Sequence, residues 1–242
     1  MVIGKILILP ILGVIIFSTV CYQQVYGITN IGTLGTTGVP SSADNSHFNA
    51  LIGVAVDSSG NIYVADEDSH RIQIFNSARV YQFTIGTPGL SGNNSTQFNF
   101  PAGVAVDSLG NIYVADTDNH RVQKYNSARV YQSTIGQTGV PGVDNAHFDF
   151  PSGIAVDTSN NVYVVDSLNH RIQKFNSAGV WQKTINVSGI PSEEESGVAV
   201  DSSGNIYVGD SFNFRVQIYS GLGVSNAPCA STTLVHTSDD PP

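Results

Sequence analysis

The feature that most constrains this chain is a sequence unit that occurs four times. The copy at 101–126 reads PAGVAVDSLGNIYVADTDNHRVQKYN, and close copies begin at Leu51, Pro151 and Ser196. The aspartate that follows the G-V-A-V segment recurs at intervals of 50, 50 and 44 residues, as Asp57, Asp107, Asp157 and Asp201. A fixed period in this range indicates a propeller, a solenoid or another array of stacked units.

Each unit consists of short runs typical of β-strands. In the second copy, the runs at 103–106, 111–115 and 121–125 are rich in β-branched and aromatic residues, and a fourth follows at 130–135. Gly, Asn, Asp and Ser separate the runs, as in tight turns between strands. No segment of 28–224 keeps a helical period. We therefore predict an all-β fold in which each unit is a four-stranded antiparallel meander.

The first two strands of each unit are apolar at consecutive positions, which is typical of strands covered on both faces. A radial stack of such sheets is a β-propeller, and the small residues Gly103 and Ala105 suit its crowded innermost strand. A run at 28–35 precedes the first unit, and the last unit supplies only three strands. We therefore predict four blades, either in a ring that the N-terminal strand closes or in an open arc whose end faces need a partner.

The shared pattern G-V-A-V-D-x-x-G-N-I-Y-V-A-D-x-x-N-H-R-V-Q-x-F resembles the NHL repeat, and it covers 51–219 four times over. The resemblance implies a β-propeller, commonly of about six blades, that is used mainly for binding. A minority of similar propellers are enzymes, such as peptide-amidating lyases. Others accompany zinc-binding RING modules in ubiquitin ligases, or bind RNA.

The two ends of the chain differ from the repeats. Lys5 precedes a mostly apolar run at 6–20, and small residues follow near Gly27, so 1–27 is predicted to be a signal peptide or an N-terminal membrane anchor. Residues 28–224 are assigned to the propeller and the polar segment 225–242 to a disordered tail. We therefore expect a secreted, extracellular protein, or one anchored at the outer side of the cytoplasmic membrane through 1–27.

Charge and cysteine content exclude several classes. The net charge is −9, with 10 basic against 19 acidic residues, which argues against nucleic-acid binding because such binding draws on Lys and Arg. Only Cys21 and Cys229 are present, so no zinc module of the RING type is encoded. We expect no cofactor and no metal site. Calcium or zinc is kept as an alternative because acidic residues alternate at 66–68 and 116–118.

A polar motif that could be mistaken for a catalytic set recurs in the units. Its members are Asp66, His70 and Arg71; Asp116, His120 and Arg121; Asp166, His170 and Arg171; and Asp210 and Arg215. A single catalytic centre needs unique residues, so a set copied into every unit is interpreted as structural. We expect the carboxylate to accept hydrogen bonds from backbone N–H groups and from Arg. Phe214 replaces His in the last unit, and packing tolerates that exchange. No catalytic residue is predicted.

Long loops join each outer strand to the next inner strand, at 86–99, 136–149 and 186–195, and therefore emerge on one face. Loops of this length are often functional. The candidate binding residues on this face are Asn93, Asn94, His147, Glu193, Glu194 and Glu195. We predict a binding or scaffolding module for a protein or small ligand, with self-association if the arc is open. The alternative is a metal-dependent lyase or hydrolase acting at the channel.

Overall fold

The described part of the chain lies almost entirely in one unit that begins at Leu34. A computed structural model describes residues 32–35, 40–41, 44–187, 197–210 and 213–220. The other unit covers 1–33, and only Gly32 and Thr33 of it are described.

Each of the first three repeats forms a four-stranded antiparallel sheet, and three strands of the fourth sheet are described. Blade 1 contains β1 (Leu51–Val56), β2 (Ile62–Asp66), β3 (Arg71–Phe75) and β4 (Tyr81–Gly86). Blade 2 contains β5 (Pro101–Val106), β6 (Ile112–Asp116), β7 (Arg121–Tyr125) and β8 (Tyr131–Gly136). Blade 3 contains β9 (Pro151–Val156), β10 (Val162–Asp166), β11 (Arg171–Phe175) and β12 (Trp181–Asn186). Blade 4 contains β13 (Val198–Val200), β14 (Ile206–Asp210) and β15 (Arg215–Tyr219). The predicted all-β propeller fold is confirmed.

The antiparallel course separates two kinds of connection. A turn of 3₁₀ helix joins the second and third strands of blades 1, 2 and 3, at Glu67–Ser69, Thr117–Asn119 and Ser167–Asn169. These turns and the long loops between blades lie at one end of the sheets, which we call the rim end. The tight D-S-x-G-N and N-S-A turns lie at the opposite, hairpin end.

Each blade packs on its neighbours through two faces, and each face is formed by equivalent repeat positions in successive blades. The face that blade 1 turns to blade 2, here called the leading face, consists of Ala55, Tyr63, Ala65, Ile72, Ile74 and Ile85. The face that blade 2 offers in return, the trailing face, includes Val104, Val106, Ile112 and Val114. Equivalent residues form the core between blades 2 and 3 and between blades 3 and 4. The hydrophobic core is therefore a series of joints between blades.

The innermost strands approach each other too closely for side chains. A Cβ atom added to Gly103 would overlap the carbonyl oxygen of Ser152, and one added to Gly53 would overlap that of Ala102. Glycine is needed at these positions because the backbone of the next blade occupies the space.

Among the described residues, blades 1 and 4 each have one face that no other blade covers, as in the open arc; the strand predicted to close the ring lies mostly outside the described residues. β1 packs on β5, β5 on β9 and β9 on β13, whereas in the described residues no similarly close packing joins β1 to the strands of blade 4. Val54 is 68% exposed although its equivalent in blade 2, Val104, is 5% exposed. On the far side of the arc, Val216 and Ile218 are 61% and 64% exposed.

Other expectations fall mostly outside the described residues. The predicted N-terminal strand spans 28–35; its described part, 32–35, forms no strand, and 28–31 lie outside the described residues. The segments 1–27 and 225–242 are not described. No helix among the described residues is long and apolar enough to cross a membrane.

Candidate binding site at the loop rim

A buried ion pair stands behind the long loops at 86–99 and 136–149 at the rim end. In blade 2, Asp116 ends β6 and Arg121 begins β7, so the turn between them brings the two side chains together, with 2.7 Å between Arg121 Nε and Asp116 Oδ2. Both residues are buried. Burial raises the pKa of the Asp116 carboxyl, although hydrogen bonds from Asn99 and Asn119 and the charge of Arg121 oppose the shift. Burial of a charged pair is tolerated only when both members are also hydrogen-bonded.

The Asp116 carboxylate fixes the end of the preceding loop as well. Its Oδ1 accepts a hydrogen bond of 2.7 Å from the backbone N–H of Asn99, two residues before β5. Its Oδ2 accepts one of 3.0 Å from the Gln123 amide. Blades 1 and 3 repeat the backbone bond at 2.6 Å, from Asn49 to Asp66 and from Asp149 to Asp166.

The guanidinium of Arg121 holds the middle of the same loop. Its terminal nitrogens donate to the carbonyl oxygens of Asn93 and Asn94, each at 2.8 Å. The side chain of Asn94 then bonds within the loop, to Gln97 at 2.6 Å, and both Asn93 and Asn94 are exposed. The structure therefore places these two candidates on the rim with their main chain fixed and their side chains at the surface.

Blade 3 repeats the arrangement around His147. Arg171 donates to the carbonyl oxygens of Asp144 at 2.6 Å and His147 at 3.2 Å, and Gln173 donates to the latter at 2.8 Å. The ring of His147 contacts the Asp144 carboxylate at 2.6 Å. Hydrogen bonds therefore fix both the main chain and the ring of His147 within its loop.

In blade 4 the ion pair is present without a described loop. Arg215 Nε lies 2.7 Å from Asp210 Oδ2, and Gln217 donates to the same oxygen at 2.8 Å. Burial opposes ionisation of Asp210, but hydrogen bonds from Arg215, Asn213 and Gln217 outweigh it and lower the pKa to about 2. The candidates Glu193, Glu194 and Glu195 lie outside the described residues.

Two of the three histidines of the repeated motif, His70 and His120, lie between blades. His70 Nδ1 accepts a hydrogen bond of 3.1 Å from the backbone N–H of Phe100, and the two rings meet edge to face at 4.7 Å. His120 and Phe150 repeat this geometry, with 3.3 Å for the hydrogen bond and 5.0 Å between the rings. The Nδ1 of His120 also lies 3.4 Å from the Asp149 carboxylate. His170 is exposed.

The inner strands enclose a cavity of about 300 Å³ that all four blades line. Glycine and aliphatic residues dominate the lining among the described residues, which also include Ser152, whose hydroxyl bonds Ser167 at 2.7 Å. No group of three or more His, Cys, Asp or Glu side chains suited to a metal occurs in the described residues.

Sequence reasoning missed the buried glutamines that complete the ion-pair network. Gln73, Gln123 and Gln173 are fully buried, and each donates to a loop carbonyl and to the motif aspartate. A polar residue at the same strand position in all four copies was the available signal. Its role depends on a carbonyl that lies 26 residues away in the chain.

Comparison with known proteins agrees with this architecture. The family model for the NHL repeat matches residues 48–75, 98–125, 148–175 and 196–219. The chain therefore contains four NHL repeats, each of which forms a blade. No curated protein matches it.

Solved structures share the fold at low sequence identity. One is described as a streptogramin B lyase (13% identity, TM-score 0.52, 77% of this chain and 57% of that one). A Bacteroides thetaiotaomicron protein of unknown function is 20% identical with a TM-score of 0.56, over 70% of this chain and 47% of that one. Kuenenia stuttgartiensis hydrazine synthase is 13% identical with a TM-score of 0.51, over 78% and 53%. The present chain spans about half the length of each.

Proposed function

We propose that this protein, whose four NHL repeats form the blades of a β-propeller, is a binding or scaffolding module that recognises its ligand through the rim end. The observation that carries the proposal is the tethering of the long loops. Buried Arg121 and Arg171 hold loop carbonyls, so the main chain is fixed before any ligand arrives. A preorganised loop loses less conformational entropy on binding than a free one.

The ligand class that fits this rim is a protein surface or peptide. Leu90, Asn93 and Asn94 are exposed in the loop at 86–99, and Val140 and Val143 are exposed in the loop at 136–149. Exposed apolar side chains among hydrogen-bonding groups suit the mixed composition of protein interfaces. We place Glu193, Glu194 and Glu195 in the same proposed surface because they belong to the third long loop.

A metal-dependent lyase or hydrolase at the channel has weaker support. Such an enzyme would need acid–base or metal-binding groups where a substrate could enter. The described lining of the central cavity supplies backbone, glycine and aliphatic groups instead. The comparison with a streptogramin B lyase concerns the fold, and that likeness does not carry an activity to this chain.

Site-specific photo-cross-linking tests the proposed rim. A benzophenone amino acid is placed at Leu90 or Val143 on the rim end, and at Leu109 on the hairpin end as a matched exposed control. We expect adducts from the producing cells at the two rim positions, competed by excess unlabelled protein, and none at Leu109. Equal labelling from all three positions would contradict the proposal.

We also propose that the protein is exported, on the basis of the apolar segment at 6–20. The test is fractionation of producing cells followed by N-terminal sequencing of the mature chain. A protein outside the cytoplasm that begins near Ile28, or that stays attached to the outer side of the membrane through 1–27, is the expected result. A cytoplasmic protein that still begins at Met1 would refute it.

A further inference from the structure

The three joints between blades are all made in the same direction. A leading face always meets a trailing face, and both are built from equivalent positions in every repeat. Among the described residues, two faces take part in none of these joints: the trailing face of blade 1 and the leading face of blade 4. One is a trailing face and the other a leading face, which are the two kinds that pack together at every joint.

Both remaining faces have the composition of a joint rather than of a water-exposed surface. On blade 4, Val216 and Ile218 occupy the positions of Ile72 and Ile74, which are fully buried between blades 1 and 2. Exposed contiguous apolar surface of this kind marks an interaction site in soluble proteins.

The trailing face of blade 1 contains a recess that an apolar partner could fill. It encloses about 290 Å³ and is lined by Leu34, Phe48, Leu51, Ile52, Gly53, Val54, Ile62 and Val64. None of the described residues that line it is titratable. At the joint between blades 1 and 2, the corresponding trailing positions Val104, Ile112 and Val114 pack against leading-face side chains of blade 1.

The inner strands show the same unfilled contact. Gly53 and Gly103 each face a backbone carbonyl of the next blade, whereas a Cβ atom at Gly197 would meet nothing within 4 Å. Ile52 is the blade 1 equivalent of Ala102 and Ser152, so its carbonyl is the group that a blade packed on blade 4 would bring to Gly197. Blade 4 thus retains a glycine suited to close backbone approach at a place where no backbone of the described residues approaches it.

At the edge of each end face, one residue of the repeat differs in size from its equivalents at the internal joints. At the internal joints a histidine meets a phenylalanine, as His70 meets Phe100. The corresponding residues at the ends are Phe214, which is 96% exposed, and Ala50, and both adopt the same left-handed backbone conformation as the residues they replace. The larger residue on one end face therefore corresponds to a smaller one on the other.

We propose that the leading face of blade 4 binds the trailing face of blade 1 of a second copy of this chain, head to tail. The contact repeats the three internal joints, with Val216 and Ile218 covering the recess beside Val54, and Phe214 meeting Ala50. It is a heterologous interface, because each copy contributes a different face. Such contacts produce a closed ring where the rotation allows it and longer chains where it does not.

Solution mass of the full-length protein tests the proposal. Light scattering after size exclusion, over a series of concentrations up to high micromolar, is expected to give a mass that rises from that of one chain to at least twice that value. Val54→Asp damages only the trailing face and Ile218→Asp only the leading face, and each is expected to give single chains. Both side chains are already exposed within one chain, so the blades should remain folded, as thermal unfolding will verify.

Mixing the two variants provides the decisive experiment. The Val54→Asp chain keeps an intact leading face and the Ile218→Asp chain an intact trailing face, so the mixture is expected to form a one-to-one complex. Leu109→Asp, a comparably exposed position on the hairpin end, is the control and should associate as the wild type does. The proposal is overturned if the wild type stays a single chain throughout, if either variant associates like the wild type, or if the mixture fails to pair.

Discussion

Blade 2 and blade 4 carry the same aspartate–arginine pair at the same point of the repeat, but only blade 2 has a neighbour on both faces. The Asp116 and Asp210 side chains are both buried, whereas the Arg121 side chain is 4% exposed and that of Arg215 is 53% exposed. Burial dominates the first site and raises the pKa of Asp116, while hydrogen bonds dominate the second and lower the pKa of Asp210 to about 2. The repeat therefore defines the ion pair, whereas the loop carbonyls of Asn93 and Asn94 add the contacts that cover Arg121 in blade 2.

The largest expected effect comes from removing the arginine. Arg121→Ala leaves a buried carboxylate without its cation and releases the loop carbonyls, and a loss of about 3–5 kcal/mol in unfolding free energy is expected. Arg215→Ala should lose clearly less, because water already reaches that side chain. Urea unfolding of both variants measures the difference, and equal losses would contradict the comparison.

A second test concerns the inner-strand glycines. Gly103→Ala forces a methyl group into the Ser152 carbonyl and is expected to cost about 1–3 kcal/mol. Gly197→Ala meets open space within one chain and should change the unfolding free energy by less than about 0.5 kcal/mol. Measured in dilute solution by urea unfolding, similar costs for the two variants would show that the end blade is covered within a single chain.

The tyrosine–glutamine pair gives a smaller effect. Tyr125 donates to Gln123 Oε1 at 2.9 Å, and Tyr219 donates to Gln217 Oε1 at 2.7 Å. Tyr125→Phe leaves a buried acceptor without a donor and should cost about 1 kcal/mol. Tyr219→Phe, in the end blade, should cost less. Thermal unfolding of the two variants provides the comparison, and a larger loss for Tyr219→Phe would count against it.

The smallest effect is a pH dependence at the joint between blades 1 and 2. Burial lowers the pKa of His70 below 6.5, although Asp68, Asp118 and Asp116 oppose the shift. The unfolded chain then binds a proton that the folded chain does not, so stability is complete above pH 6.5 and falls as the pH drops through the folded-state value. His70→Asn keeps an acceptor and removes the titration. Between pH 7.5 and pH 5.5, the midpoint of urea unfolding should decrease less for this variant than for the wild type. An identical decrease would exclude His70 as the cause.

The sequence was sufficient for the strands and turns because these depend on nearby residues. The predicted runs at 103–106, 111–115 and 121–125 overlap β5, β6 and β7, and the motif histidine lies at the turn between the last two. The loop tethers could not be predicted, since Arg121 reaches carbonyls 27 and 28 residues away. Two buried acceptors, Gln73 Oε1 and Gln173 Oε1, have no partner among the described atoms, and here phenylalanine replaces the donor tyrosine of the other blades.

The end faces could not be recognised from sequence for a different reason. Val54 and Val104 stand in the same local sequence, G-V-A-V-D, yet one is exposed and the other buried. The difference lies in the presence of a neighbouring sheet, which the local pattern does not encode. Phe214 was interpreted only as evidence that the motif is structural, and its exposed position at an end face emerges from the fold.

Hydrogen–deuterium exchange of the full-length protein at two concentrations tests the central claim most directly. Strand β14 is compared with its equivalent β6, and β1 with β5. We predict that β14 and β1 exchange faster than β6 and β5 in dilute solution and gain protection when the protein is concentrated, because a second copy then covers the end faces. Equal protection of end and middle blades at the lowest concentration would contradict the account, since it would mean that one chain closes on itself.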